Sequence, residues 1–218
     1  MTDKHDPKPL TVAFTDIETG GVDEDQDDIV EIGVLRVVYP VNYFATTYEG
    51  PEPEETEVSV KIQPTRPLDP EAAEINGYTP ERWEGAVTLA EGLAQIYPFI
   101  KGARFACWNP FDQKFIARKF KQLGWRWPKG TGYRIIDVQT LCFPYTLQNF
   151  PDPIRVNQQD IARMMGILKD DEEQAHEGLK DAKLNRQMFD YMTQDYYLTH
   201  EPPAPLVAVV DPASQLPG

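Results

Sequence analysis

Residues 10–21 read LTVAFTDIETGG. The run is apolar and β-branched as far as Ile17, and Gly20 and Gly21 supply turn chemistry straight after it. The pattern predicts a strand that ends at an acidic pair. Asp16 and Glu18 are two positions apart, so on a strand both side chains leave the same face. Anions that close repel one another, and carboxylates beside apolar sequence are costly unless a cation holds them. A divalent ion would remove the conflict. Taken alone, an Asp-x-Glu is as well explained by a strand that has simply run out into solvent.

Outward from this strand, DIVEIGVLRVVY (28–39) alternates well enough for a second strand and VSVKIQP (58–64) for a third. The intervening PVNYFATTYEGPEPEETE (40–57) is polar and Pro-rich, which predicts a hairpin extended into an acidic loop. PLDPEAAEINGYTPERW (67–83) reads as short helical turns broken by Gly77 and Pro80. Leu89, Leu93, Ile96 and Ile100 then fall at helical intervals behind Thr88, a candidate N-cap. ARFACW (103–108) is a short buried strand. A helix with Phe111, Phe115, Ile116 and Phe120 on one face follows and stops at Gly124. YRIIDVQTL (133–141) predicts a fifth strand crossing into helix, and VNQQDIARMMGI and HEGLKDAKLNRQMFDYM predict two more helices. Three strands without helices, then helix–strand–helix–strand, describe an α/β domain on a mixed five-stranded sheet whose first three strands form an antiparallel meander.

The 218 residues fit one domain, expected over 11–198, with an N-terminal tail at 1–10 and a Pro-rich tail at 199–218. The charged, Pro-containing start is not expected to act as a signal peptide, and no apolar run nears the roughly 20 residues that span a bilayer. Cys107 and Cys142 have no zinc spacing and are expected as buried free thiols, so a cytoplasmic setting with no membrane partner is expected. The net charge of −14 argues against a nonspecific nucleic-acid binder. That charge is uneven, however. Ten acids lie in two stretches, Asp23–Asp28 and Glu49–Glu57, expected to be solvated loops, whereas Lys101–Arg134 carries nine basic residues against Asp112. Lys114, Arg118 and Lys121 form a helical stripe that is equally well a solvated face or a guide for an anionic strand.

Two further segments carry acids at structural edges. Asp112, in WNPFDQKFI, stands near a helix start after the turn Trp108-Asn109-Pro110; a first-turn acid complementing the helix dipole would account for it alone. His176 and Asp181, in HEGLKDAKL, are five positions apart, about 500° on an ideal helix, so they cannot share a helical face. His176 is therefore placed in the loop before the helix, with Asp181 one turn in.

Taken together, FTDIETGG, WNPFDQKFI and HEGLKDAKL resemble, in order and spacing, the three motifs of the DEDD superfamily of 3′–5′ exonucleases. The resemblance is to its histidine-containing DEDDh branch, the DnaQ-like and ribonuclease T-like enzymes. IIDVQTL and INGYTPE resemble its fifth-strand signature and its small loop after the third strand, and the likeness runs from about Thr11 to Met192. It implies a ribonuclease-H-like fold and a metal-dependent 3′–5′ exonuclease. Such an enzyme hydrolyses single-stranded 3′ ends to nucleoside 5′-monophosphates by two-metal chemistry. Asp16, Glu18, Asp112 and Asp181 would hold two Mg²⁺ or Mn²⁺ ions and His176 would be the general base. Ile17, Thr19, Gly20, Asn76, Gly77, Phe111 and Phe115 would contact the terminal nucleotide. Asn109 lies three positions before Asp112 where the family often has four, which puts a substrate contact by Asn109 in doubt. A catalytically silent binding module on the same fold is the alternative. DNA against RNA, and a homodimer against a monomer, stay open.

Overall fold

The computed structural model describes residues 7–132, 134–152, 155–169 and 176–196. The tails expected at the two ends therefore fall mostly outside the described residues. The sheet is built from β1 (Leu10–Thr19), β2 (Ile29–Tyr39), β3 (Glu54–Lys61), β4 (Arg104–Cys107) and β5 (Ile136–Asp137), in the order β3-β2-β1-β4-β5. β1, β2 and β3 form the antiparallel meander, and β4 and β5 add in parallel. This is the mixed sheet expected for a ribonuclease-H-like domain.

Helices cover both faces. On one, Ala13, Ile17, Ile32 and Val34 pack against α2 (Leu89–Ile100) and α3 (Pro110–Gln122) through Leu93, Ile96, Phe115 and Phe120. On the other, Val12, Phe14, Leu35 and Val37 meet Ala182 and Phe189 of α6 (Gly178–Asp190). A third cluster joins α6 to α4 (Val138–Asn149) and α5 (Gln158–Met164). Short α1 (Pro70–Ile75) follows β3, and a π-helical turn, Tyr191–Tyr196, continues α6. Thr88 caps α2, as the sequence predicts, and the structure adds a reciprocal capping box with Glu91. Gly124, φ +71°, takes the left-handed position beyond α3. Cys107 and Cys142 are free and buried, and no described helix is long and apolar enough to cross a membrane.

The two acidic stretches are not loose. The 23–28 loop folds back on α3: Arg118 pairs with Asp25, Lys119 Nζ donates to Glu24 O (3.1 Å) and Gln122 Nε2 to Asp25 O (3.0 Å). Arg118, one of the three residues of the expected basic stripe, is thereby spent holding this loop. In the second stretch β3 begins earlier than its apolar alternation suggests. Glu57 pairs with Lys183 (2.7 Å) and Glu55 with Arg186 (3.2 Å), fastening α6 along the sheet edge. Nor is 40–57 wholly outside the core, since Tyr43 and Phe44 stack on Tyr39. The acids of both stretches are largely exposed, as expected, but three of them, Asp25, Glu55 and Glu57, also pair with helices.

Candidate active site

Asp16 and Glu18 project from β1 toward α6, continuing the row of Val12 and Phe14. Their neighbours on β2 are Gly33, opposite Asp16, and Glu31, opposite Glu18. Gly33 is where α6 touches down. A Cβ built there would overlap the backbone of Gly178 and Leu179, while a Cβ on Gly178 would come within 2.9 Å of Gly33 N and 3.1 Å of Asp16 O. With no side chain on either residue, the helix N-terminus rests on the strand backbone beside Asp16. Asp181 sits in the first turn of α6, its N–H donating to Glu177 O (3.1 Å), and the positive end of the helix dipole faces the β1 acids.

Asp112 arrives from the other side. Asn109 caps α3 by accepting from Phe111 N (2.8 Å), Pro110 fills the first helical position, and Asp112 follows in that turn. Asp112 Oδ1 accepts a hydrogen bond from Ile17 N (3.2 Å), so this acid is tied to the β1 backbone between Asp16 and Glu18. Asn109 is thus occupied as a cap, in keeping with the doubt its spacing raises. His176 is exposed, in the segment leading to α6, and its ring offers a nitrogen within 4.8 Å of carboxylate oxygens of Glu18 and Asp181. The fold therefore brings residues from four segments to one end of the sheet.

This concentration of charge is costly without a cation. Glu18, Asp112 and Asp181 are only 7 %, 5 % and 4 % exposed, and Asp16, Glu18 and Asp112 form no ion pair among the described residues. Burial, reinforced by the neighbouring carboxylates, pushes Glu18 up to about 8 and Asp16 well above the usual carboxylate range. Burial likewise raises Asp112 and Asp181 to about 7. Oxygen ligands crowded in this way suit hard divalent cations, and the Glu18–His176–Asp181 spacing is of a size one ion can bridge. Such ions would be held by Asp16, Glu18, Asp112 and Asp181.

The raised values give a pH signature. Glu18 rises from the ordinary 4.5 to about 8, so across that window the folded protein binds more protons than the unfolded chain. The site's contribution to stability in EDTA therefore falls as pH rises between those values. Mn²⁺ is accordingly expected to raise the melting temperature more at about pH 8 than at about pH 5, with proton release on binding in calorimetry. A Mn²⁺ effect independent of pH would contradict this electrostatic reading.

Beside the acids lies a cleft of about 520 Å³, lined by Ile17, Glu18, Thr19, Ile75, Asn76 and Phe111 among others. Asn76 Nδ2 donates to Thr19 O (2.8 Å), and Thr19 Oγ1 to Gly21 O (2.6 Å), which fixes one wall to the other. Gly77 makes the turn behind Asn76 at φ +58° and its carbonyl accepts from Arg82 (2.7 Å). Gly20 is buried under Leu68, its N–H donating to Asp28 O (2.8 Å). Phe115 departs from expectation: it is fully buried and backs Phe111, ring centres 4.9 Å apart, so it reaches the core and not the cleft. Sequence reading missed Glu31, buried at 5 % exposure opposite Glu18, because inside an alternating strand it looks like an ordinary outward residue.

Residues 13–189 match the family model of the RNase_T exonucleases. The chain belongs to this exonuclease family. It is a DnaQ-like member of the DEDD group, and its three acidic motifs are those that meet at the end of the sheet. The domain is 35% identical over 65 residues to the DNA polymerase III subunit epsilon of Pasteurella multocida (strain Pm70), 29% of this chain and 26% of that protein. It is 27% identical over 122 residues to the PolC-type DNA polymerase III of Thermotoga maritima, 54% of this chain and 8% of that one. This exonuclease chain thus spans about a quarter or less of these relatives. In fold it is similar to E. coli exonuclease I in complex with a dT13 oligonucleotide, TM-score 0.65 at 18% identity over 88% of this chain and 44% of that one. It is also similar to cell-death related nuclease 4, TM-score 0.63 at 14% identity over 84% of this chain and 63% of that one.

Proposed function

We propose that the protein is a metal-dependent 3′–5′ exonuclease that removes nucleoside 5′-monophosphates from single-stranded 3′ ends. The observation that carries this is the meeting of Asp16, Glu18, Asp112 and Asp181 beside a cleft with an apolar wall, with an exposed histidine against Glu18 and Asp181. Mg²⁺ or Mn²⁺ ions held by the four acids would supply Lewis acidity to the scissile phosphate and to the attacking water. Ile17, Ile75 and Phe111 present apolar surface for a terminal base, and stacking of that kind is indifferent to sequence. His176 accepts the proton of the water attacking phosphorus, and because the ring is exposed it passes that proton to solvent. The P–O3′ bond breaks and the shortened strand keeps its 3′-oxygen. The cleft also carries Asp27, Asp69 and Glu71, so phosphates enter only where a cation offsets the field. E. coli exonuclease I, whose fold this chain shares, is described with a bound dT13 oligonucleotide, which favours a single strand as the substrate here.

The test is incubation of matched DNA and RNA oligomers, labelled at the 3′ or the 5′ end, with Mn²⁺ or with EDTA. Metal-dependent release of labelled mononucleotide from the 3′ label, with a ladder from the 5′ label, is expected. No release from any substrate would leave the silent binding module, and internal cutting of a circular strand would indicate an endonuclease. His176→Ala is expected to lower turnover by about 10²–10⁴-fold, the usual contribution of a positioned base, while Mn²⁺ still raises the melting temperature. Loss of that metal stabilisation would make His176 a ligand instead.

A further inference from the structure

The cross-strand register places three charged residues in one row on the α6 side of the sheet: Glu18 on β1, Glu31 on β2 and Lys61 on β3. Directly opposed residues have Cβ atoms about 4.5–5.5 Å apart, and like charges there destabilise the pair. Glu31 is nonetheless buried, only 5 % exposed. The obvious structural purpose would be an ion pair with Lys61. Lys61 is engaged elsewhere: its Nζ donates to Arg82 O (3.0 Å) and lies 4.5 Å over the Trp83 ring. The Arg82 guanidinium in turn donates to Gly77 O (2.7 Å), and Glu177, the other nearby acid, pairs with Lys180 (3.1 Å). Glu31 makes no ion pair among the described residues. Its Oε1 accepts from Ser59 Oγ (3.1 Å), a residue of the neighbouring row that includes Asp16 and Gly33. The hydroxyl comes from β3, on the other side of β2 from Glu18, and orders one carboxylate oxygen without cancelling the charge.

We propose that Glu31 is a positioning residue of the metal site, a fifth carboxylate that strengthens divalent-cation binding at Glu18 at the expense of the metal-free fold. The inference rests on the proposed function and extends it to a residue outside the three motifs. Glu31 adds negative charge beside Glu18 and an acceptor for the ion's surroundings. Residues just outside a ligand shell commonly alter metal affinity by about 10–100-fold. Ser59 orders the group, and Lys61, engaged by Arg82 O and the Trp83 ring, forms no ion pair with it, although the Lys61 and Arg82 charges offset part of its own from a distance.

The experiment compares wild type, Glu31→Gln and Ser59→Ala by Mn²⁺ titration calorimetry and by melting in EDTA. Glu31→Gln keeps the size and a group able to meet Ser59 but removes the charge. It is expected to melt higher than wild type in EDTA and to bind Mn²⁺ about 10-fold or more weakly. Its oligonucleotide turnover should recover as Mn²⁺ is raised, so that the metal requirement moves more than the limiting rate. Ser59→Ala retains the charge and should stay nearer wild type in Mn²⁺ affinity. A Glu31→Gln protein that melts lower in EDTA with Mn²⁺ affinity unchanged would overturn the inference and leave Glu31 a structural residue. Wild type that takes up no Mn²⁺ would remove the proposed function along with it, so the two failures are distinguishable.

Discussion

Asp16→Ala is expected to abolish metal-dependent mononucleotide release, by about 10³-fold or more, and at the same time to raise the melting temperature in EDTA. Both effects have one cause. Asp16 is crowded by Asp112, Asp181, Glu18 and Glu31 and is held well above the usual carboxylate range by burial and by those neighbours. Removing it relieves a repulsion that the metal-free fold bears for the sake of cation binding. Loss of electrostatic stabilisation at a reacting centre costs about 10²–10³ for one neutral donor, and removal of a charged residue that would hold the ions should exceed that. Activity is read from the 3′-labelled oligomer and stability from thermal melts on the same preparation. Activity within tenfold of wild type would show that Asp16 is not part of the chemistry. A lower melting temperature in EDTA would show that its charge is already satisfied within the fold.

The second large effect is expected at a residue with no side chain. Gly33→Ala forces a methyl group into the backbone of Gly178 and Leu179, where the start of α6 rests on β2. Backbone is the obstacle, so no rotamer change relieves the overlap and α6 must lift. Overpacking of this kind typically costs about 1–3 kcal/mol. Lifting α6 also moves Asp181 and, through the chain, His176 away from Glu18, and displacements of about 1 Å at a reacting centre can cost about 10²-fold in rate. The variant should therefore lose both stability in denaturant unfolding and turnover with the natural metal. Stability within about 0.5 kcal/mol of wild type, the range of an ordinary surface change, would mean that the contact is not as close as described.

Much of the fold was legible in the sequence because the signals were local. Gly20 and Gly21 mark the end of β1, Thr88 the start of α2 and Gly124 the end of α3, and each follows from backbone chemistry a short segment carries by itself. The five-residue gap between His176 and Asp181 was likewise enough to place one before α6 and the other within it. What was not legible depends on contacts across the chain. The acids of 23–28 and 49–57 read as solvated loops and are largely exposed, but sequence does not show that Asp25, Glu57 and Glu55 will pair with Arg118, Lys183 and Arg186. Phe115 falls on the same helical stripe as Phe111, but one turn further into α3 it is buried, while Phe111, at the helix start, lines the cleft. Gly33 and Glu31 carried no signal at all, since a glycine and an acid in an alternating strand acquire meaning only when α6 and β1 are set beside them.

The most direct measurement is the manganese anomalous difference map of a crystal soaked in Mn²⁺. The account predicts two neighbouring peaks among the carboxylates of Asp16, Glu18, Asp112 and Asp181, with His176 at the edge of the site. Peaks only on the 23–28 or 49–57 acids, or none at all, would contradict it.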